Sequence, residues 1–338
     1  MKIRSTPEIF KALADRVGCS ITLEPLYELA GQISFPNGKN FYFKSTSLDI
    51  NGHGSSEVAK DKGYTRFFMS KMGYKIPQGA PFFSPHWCEV NDANNNSESA
   101  VQFANSLGYP VIVKPNSGSK GRDVFKAYNE AELRDILRIV FEKNNVILIE
   151  QYIAGDDYRL VVLKGEVMMA YRRLPLALVG NGTDNISTLF DTKKAEQKSI
   201  GRKISIEISD PRIEARLKNF YKIDINYVPR AGEEIILLEN ANLSSGGEAV
   251  DVTDIIHESY KQIAIKLAQD MGLKLVGVDF ITKDDITKPM QDITFIEINS
   301  SPGLTHYQTL SPQAEARVED LYYKILVELR NRVNASVL

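Results

Sequence analysis

Asp279, Glu297 and Asn299 are oxygen donors set among apolar residues, and that pairing carries the plainest chemistry in the sequence. Val276, Val278 and Phe280 alternate with Gly277 and Asp279, and Phe295-Ile-Glu-Ile-Asn299 alternates likewise. Such alternation marks strands with one face buried. The polar connection Lys283-Asp-Asp-Ile-Thr-Lys-Pro-Met290 lets the two strands pair, which brings Asp279 towards Glu297 and Asn299. The last two share one face of their strand. Two carboxylates and a side-chain amide suit magnesium, which keeps its other positions for water and phosphate. A solvated acidic strand end would show the same letters, but not apolar neighbours on both sides.

Lys114 closes the apolar run Val111-Ile-Val-Lys114-Pro115, where a lysine needs a charged partner. A protein carboxylate or a ligand phosphate would serve. The adjoining loop, with Ser117, Gly118, Ser119 and Gly121, favours phosphate, because small residues let backbone N–H groups approach oxygens closely. It is not the helix-opening phosphate loop, since no Gly-Lys-Ser/Thr follows it. The strand Val146-Ile-Leu-Ile-Glu150-Gln151-Tyr-Ile153 ends before Ala154-Gly155. Its end could meet an adenine edge and face, and it reads equally well as a simple strand exit. Asp157-Tyr-Arg159 to Arg172-Arg173 forms a hairpin with arginines at both ends, suited to carboxylate or phosphate recognition. Surface cations are the plain alternative. Asn242, before Gly246-Gly247, sits in a polar loop that could lie beside reacting atoms or simply turn the chain.

The elements that must position these residues follow from periodicity. Helices are expected over Pro7 to Val17, Glu57 to Met72 with Ser55 or Ser56 as its cap, Glu98 to Leu107, Glu130 to Lys143, Ile255 to Met271 and Ser311 to Val333. In the fifth, Ile255, Ile256, Ile263, Leu267 and Met271 are expected to face inward. Gly31 to Lys44 reads as a hairpin turned at Asn37-Gly38. Pro77 to Val90 is turn-rich around Trp87, and Thr188 to Ala215 is charged and poorly periodic. His53 reads as a solvated loop residue. The Asn185-Ile-Ser and Asn242-Leu-Ser tripeptides are chance matches to the glycosylation pattern.

A chain of 338 residues, 43% hydrophobic and 25% charged, can bury a large core in two or three lobes. Its net charge of −2 gives no field that attracts nucleic acid or anionic membrane, so a phosphate ligand must be held locally. Cys19 and Cys88 fit neither a disulfide framework nor a zinc pattern. With no signal-peptide core and no membrane-length apolar run, the expected location is cytoplasmic.

In order, Asp61-Lys62, Ile112-Val-Lys114-Pro, the glycine loop, Ile149-Glu150-Gln-Tyr-Ile153, Asp157-Tyr-Arg159, Asn242-Leu-Ser-Ser-Gly-Gly, Asp279 and Glu297-Ile-Asn299 resemble the ATP-grasp carboxylate–amine ligases. The likeness is greatest to the ATP-grasp part of cyanophycin synthetase and of bifunctional glutathione synthetase, over about Lys60 to His306. Its most telling stretch is Asn240 to His257. The resemblance implies an α+β ATP-grasp fold in which two lobes clasp the nucleotide, preceded by a small N-terminal α/β subdomain. The divisions would be 1–58, a central lobe 59–150 with the glycine-rich loop, and a C-terminal lobe 151–338 with the magnesium site. It implies that Lys62 and Lys114 hold ATP phosphates under the loop of Ser117, Gly118, Ser119 and Gly121. Glu150, Gln151 and Ile153 would meet adenine, and Asp157 the ribose. Asp279, Glu297 and Asn299 would hold two Mg2+ ions, with Mn2+ as a substitute, and a homodimer is expected.

Three departures stand out. Gly121-Arg-Asp123 replaces Gly-Arg-Gly, Leu238 replaces an arginine, and residues 1–58 are short for the leading subdomain. The missing arginine moves acyl-phosphate stabilisation to Arg159 or Arg173, with Asn242 beside them. The implied reaction joins an amino-acid or short-peptide carboxylate to an amine through an acyl phosphate, releasing ADP. The other readings are a ligase acting on a larger peptide or protein side chain, a kinase, or an ATP-binding module without turnover. The three arginines Arg159, Arg172 and Arg173 suggest a substrate with an extra carboxylate.

Overall fold

Residues 3–118, 121 and 123–335 are described in the computed structural model. Helix α1 (Thr6–Val17) opens with a reciprocal cap: Ser5 accepts from the Glu8 N–H, and Glu8 accepts from the Ser5 N–H. It ends at Gly18, whose φ of +74° suits a residue without a Cβ. Strands β1 (Ser20–Leu23), β2 (Ala30–Ser34), β3 (Asn40–Lys44) and β4 (Ser47–Leu48) form an antiparallel meander. The expected hairpin turns through Pro36-Asn37-Gly38, with Gly38 at φ +83°. This region has the helix and sheet of a small α/β unit, packed on the C-terminal helix. Ile9, Phe10, Leu13, Ile33 and Phe43 share one core with Leu321, Ile325 and Leu329 of the C-terminal helix. So short a segment has too little apolar area for a core of its own.

The helix expected over 57–72 is two: α2 (His53–Lys60), which starts behind Gly52 with no serine cap, and α3 (Lys62–Lys71). Asp61 leaves helical geometry (φ −101°, ψ 113°), caps α3 through the Tyr64 N–H and pairs its backbone with Ser117. A side chain that accepts at the second helix's start thus breaks the first.

The central lobe holds β5 (Gly79–Phe83), α4 (Pro85–Asn91), α5 (Ser97–Leu107), β6 (Val111–Pro115), β7 (Phe125–Ala127), α6 (Glu130–Phe141) and β8 (Val146–Gln151). Its antiparallel sheet runs β5-β8-β6-β7, with Leu133, Leu137 and Val140 of α6 packed on Val111, Val113, Ile147 and Ile149. The stretch read as turn-rich is therefore β5 and α4, and Trp87 is partly exposed.

The remaining elements are β9 (Asp156–Leu163), β10 (Glu166–Leu174), β11 (Ala177–Val179), α7 (Ile186–Ser199), α8 (Pro211–Arg216), β12 (Glu234–Ile236), β13 (Glu248–Asp251), α9 (Glu258–Asp270), β14 (Leu275–Thr282), β15 (Thr294–Asn299) and α10 (Pro312–Ala335). A five-stranded antiparallel sheet, β13-β10-β9-β14-β15, has α9 on one face and α10 with the N-terminal layer on the other. Helix α9 begins behind His257, so Ile255 is exposed, not inward. The charged stretch from 188 holds α7, capped by Asn185, whose N–H partner is Thr188. Ile186 and Phe190 join Ile213, Leu217, Ile235, Leu237 and Leu238 in a separate core. Cys19 and Cys88 are unpaired. No helix among the described residues is long and apolar enough to cross a membrane.

Candidate active site

A cleft of about 1720 Å³ lies between the central lobe and the five-stranded sheet. Its acidic wall is made by sheet register. Tyr171, Arg159, Asp279 and Glu297 stand in one row across β10, β9, β14 and β15, and Gly277 pairs with Asn299. A register shift follows Asp279 immediately. Asp279 has no exposed surface. Arg159 donates to it from Nε and Nη2, each at 2.5 Å, and Arg173 Nη2 lies 3.0 Å away. The Arg159 side chain passes over Gly277, where an added Cβ would lie 3.5 Å from Nε.

Glu297 keeps 28% of its side-chain surface open to the cleft. Burial alone would raise its pKa, but Lys62, Arg159, Lys114 and the Asn299 hydrogen bond outweigh that and hold it at about 2. Asn299 Nδ2 donates to Glu297 Oε1 at 3.0 Å, which leaves the amide oxygen as a donor atom for a cation. The three predicted ligands are thus together. They are two carboxylates and an amide, and no group of three or more His, Cys, Asp or Glu forms a metal centre among the described residues. This set fits magnesium only where nucleotide phosphates complete the shell and Arg159 and Arg173, which hold both oxygens of Asp279, yield that carboxylate to the ion.

The opposite wall carries Lys114, buried at the end of β6 and 2.5 Å from Glu150 of β8. Glu150 also accepts from Arg66 at 2.6 Å and is 2% exposed. Its carboxylate is therefore committed to two cations, so the side chain itself does not serve an adenine edge. Gly79 makes the room: a Cβ there would lie 2.7 Å from Ile149 O and 3.1 Å from Arg66 Nη2. Gln151 and Ile153 line the cleft beside Tyr152. Asp157 accepts from Arg173 Nε and Nη2, both at Oδ1, at 2.9 and 2.7 Å. Burial, opposed by Arg173 and assisted by Asp279, pushes its carboxyl up to about 6.

The glycine loop spans both walls. Lys62 Nζ donates to Gly118 O at 3.2 Å and lies 4.0 Å from Glu297. Asn116 ties the loop base to the helix break, donating to Asp61 and accepting from the Gly63 N–H. Gly121, at φ +62°, has its carbonyl bonded by Arg212 Nη1 at 2.8 Å and by Asn240 Nδ2 at 3.4 Å. An added Cβ would lie 2.8 Å from the amide nitrogens of both Asn240 and Asn242. Asp123 occupies φ +53°, a region glycine enters freely and Asp tolerates better than most residues. Ser119 lies outside the described residues. Asn242 accepts from Ser244 through Oδ1 and faces Gly121 with Nδ2, so it supports the loop.

Several contributors were missed. Arg66 lies within the single helix expected over 57–72, where nothing in the sequence sets it apart. Glu239 of the C-terminal unit accepts from Lys126 at 3.3 Å, from Tyr128 at 2.7 Å and from Arg216 at 2.8 Å, which links β7 to α8. Lys126 Nζ also sits 3.6 Å over the Tyr152 ring. Arg202 and His306 meet at 3.0 Å in the same cleft. None of these pairs is close in sequence, and no local pattern reports them. Leu238 is buried in the α7 core, confirming that no arginine reaches the site from that position.

The chain is similar to known proteins in sequence and fold. Residues 82–177 match the D-ala D-ala ligase C-terminus family, and residues 239–320 match the RimK-like ATP-grasp domain. Cyanophycin synthetase of Geminocystis herdmanii is 30% identical over 73% of this chain and 28% of that protein. The glutathione biosynthesis bifunctional protein of Enterococcus faecalis is 29% identical over 73% of this chain and 32% of that one. The chain thus spans about a third of the length of these relatives. A bifunctional glutathione synthetase structure from Pasteurella multocida superposes with a TM-score of 0.57 at 22% identity, covering 94% of this chain and 44% of that chain. D-alanine–D-alanine ligase from Bacillus anthracis gives 0.52 at 16%, covering 85% and 72%.

Proposed function

We propose that this chain, which has the α+β ATP-grasp fold and is similar to the ATP-grasp carboxylate–amine ligases, joins an amino-acid or short-peptide carboxylate to an amine with release of ADP and phosphate. The observation that carries this reading is Lys62, placed between the glycine-loop carbonyl of Gly118 and the Glu297 carboxylate. A cation there faces a phosphate from one side and the acidic wall from the other.

A carboxylate is a poor acyl donor, because its leaving group would be oxide. Its oxygen attacks the γ-phosphorus, the bond to the β-phosphate oxygen breaks, and an acyl phosphate and ADP result. Two anions must approach for this to happen. Lys62 and Lys114 offset phosphate charge, and Arg159 and Arg173 place positive charge against Asp279 where the acyl group would lie. Asp279, Glu297 and Asn299 would hold Mg2+, in the family's manner two ions, whose charge neutralises the phosphates. The amine nitrogen then attacks the acyl carbon, phosphate leaves, and the nitrogen loses a proton to solvent. Ser117, Gly118 and Gly121 cover the phosphates and exclude water, which would otherwise hydrolyse the intermediate. Gln151 and Ile153 frame the base. Asp157 offers Oδ2, which no described residue bonds, to a ribose hydroxyl.

The test is a reaction screen with magnesium, ATP and pooled amino acids and dipeptides, with hydroxylamine as a trap. Hydroxamate together with ADP supports the reading. AMP in place of ADP refutes it.

A further inference from the structure

Six arginines among the described residues line the cleft: Arg159, Arg172, Arg173, Arg202, Arg212 and Arg216. Five are ion-paired within the protein, to Asp279, Asp156, Asp157, Asp210 and Glu239 respectively. The hairpin arginines that suggested an extra substrate carboxylate are therefore each paired with a protein acid. Arg202 is different. It is 7% exposed, yet its bonded acceptors are neutral: Nη2 donates to Gly247 O at 2.8 Å and Nε to His306 Nδ1 at 3.0 Å.

Taking a guanidinium out of water without a counter-charge costs several kcal/mol, and proteins rarely leave that cost unmet. Glu248 helps only at a distance and is itself bonded by Lys193. Because His306 Nδ1 accepts from Arg202, the imidazole is neutral and carries its proton on Nε2. The contact orients the guanidinium and adds no negative charge. Gly247 and His306 fix one edge of the fork, and no described protein atom bonds Nη1. His306 follows the loop Ser300 to Thr305 that continues directly from Asn299, and Arg202 lines the same cleft as Asp279, Glu297 and Asn299.

We propose that Arg202, oriented by His306 and Gly247, recognises a carboxylate of a substrate that is not the one being activated. One of the two substrates therefore carries a free, unreacting carboxylate, as an α-amino acid or a peptide with a free C-terminus does. The inference rests on the ligase reading for its chemistry, but its test reads binding rather than turnover. Calorimetry with the intact chain, magnesium and a non-hydrolysable ATP analogue would be run against amino acids and dipeptides, each as free acid and as C-terminal amide. The free acid should bind wild type roughly tenfold or more tightly than its amide, the worth of one charge-assisted pair. Arg202→Met should bind both forms equally, and Arg202→Lys should keep part of the preference, which also covers the case of a Met variant that does not fold. A preference that survives in Arg202→Met overturns the assignment, and so does a wild type that binds amides as well as acids or binds no panel member. Acid-selective binding of a compound that yields no ADP when ATP replaces the analogue would instead remove the ligase reading and leave Arg202 as a carboxylate site.

Discussion

Arg159 holds Asp279 through two parallel hydrogen bonds, Nε and Nη2 each 2.5 Å from a carboxylate oxygen, across adjacent strands. The acidic residue expected to bind metal is thus also the counter-ion of the arginine expected to stabilise acyl phosphate. Neither can be changed alone.

Asp279→Ala should therefore leave Arg159 and Arg173 buried without their shared acid. The expected loss is about 3–5 kcal/mol in denaturant unfolding, as for other broken buried pairs. Asp279→Asn should cost less stability, and its ADP formation should still fall by about 100-fold or more. Near-normal turnover in the Asn variant would remove Asp279 from the chemistry.

Glu297 supplies a pH signature. Its carboxyl is held at about 2, below the roughly 4.3 of an unfolded glutamate. A lowered folded value means the unfolded chain binds the proton first. The contribution is thus complete above about pH 5 and is lost as pH falls towards 2. Glu297→Gln should flatten the acid limb of stability by up to about 3 kcal/mol. Parallel acid limbs in urea titrations of variant and wild type would contradict this.

Lys114→Met tests the division of labour around Glu150. Arg66 still bonds that carboxylate, so the variant should fold with a modestly lowered Tm. ADP formation should nonetheless fall about 100-fold if the lysine meets phosphate. A variant that loses stability and keeps its rate would assign Lys114 to packing.

Gly121→Ala should uncouple the reaction. The new methyl meets the amides of Asn240 and Asn242 at a left-handed φ, so the loop must move off its rest. Stability should change by about 1 kcal/mol. The ratio of ADP released to amide formed should rise, because water reaches the acyl phosphate. An unchanged ratio would show that Gly121 does not seal the site.

Glu239→Gln should loosen the link between β7 and α8 by removing the charge that Lys126 and Arg216 share. Release of a fluorescent ATP analogue should quicken several-fold in stopped-flow, with little change in Tm, since a partly exposed pair contributes little to stability.

Both the fold and the acidic wall could be read from the chain because their signals are local. β14 and β15 each show one buried face, and the α+β ATP-grasp expectation holds. What stayed hidden is non-local or weakly patterned. Arg159 and Asp279 are 120 residues apart and meet only through strand order. Helix α7 buries only Ile186 and Phe190, too narrow a stripe to stand out among its charges. The break at Asp61 depends on Ser117 and Asn116, which no reading of the helix alone includes. The pairing of the Glu150 side chain stayed hidden because its partner Arg66 lies on a separate helix.

The shared core of α1, the N-terminal meander and α10 sets an order of assembly. As the chain is made, the apolar face of Ile9, Phe10 and Leu13 meets Ile33 and Phe43 first and is completed by Leu321 and Ile325, some three hundred residues later. The central lobe between them has its own core and can form during that interval. Until α10 is made, the α1 face packs on Ile33 and Phe43 but lacks the Leu321, Ile325 and Leu329 side of its core.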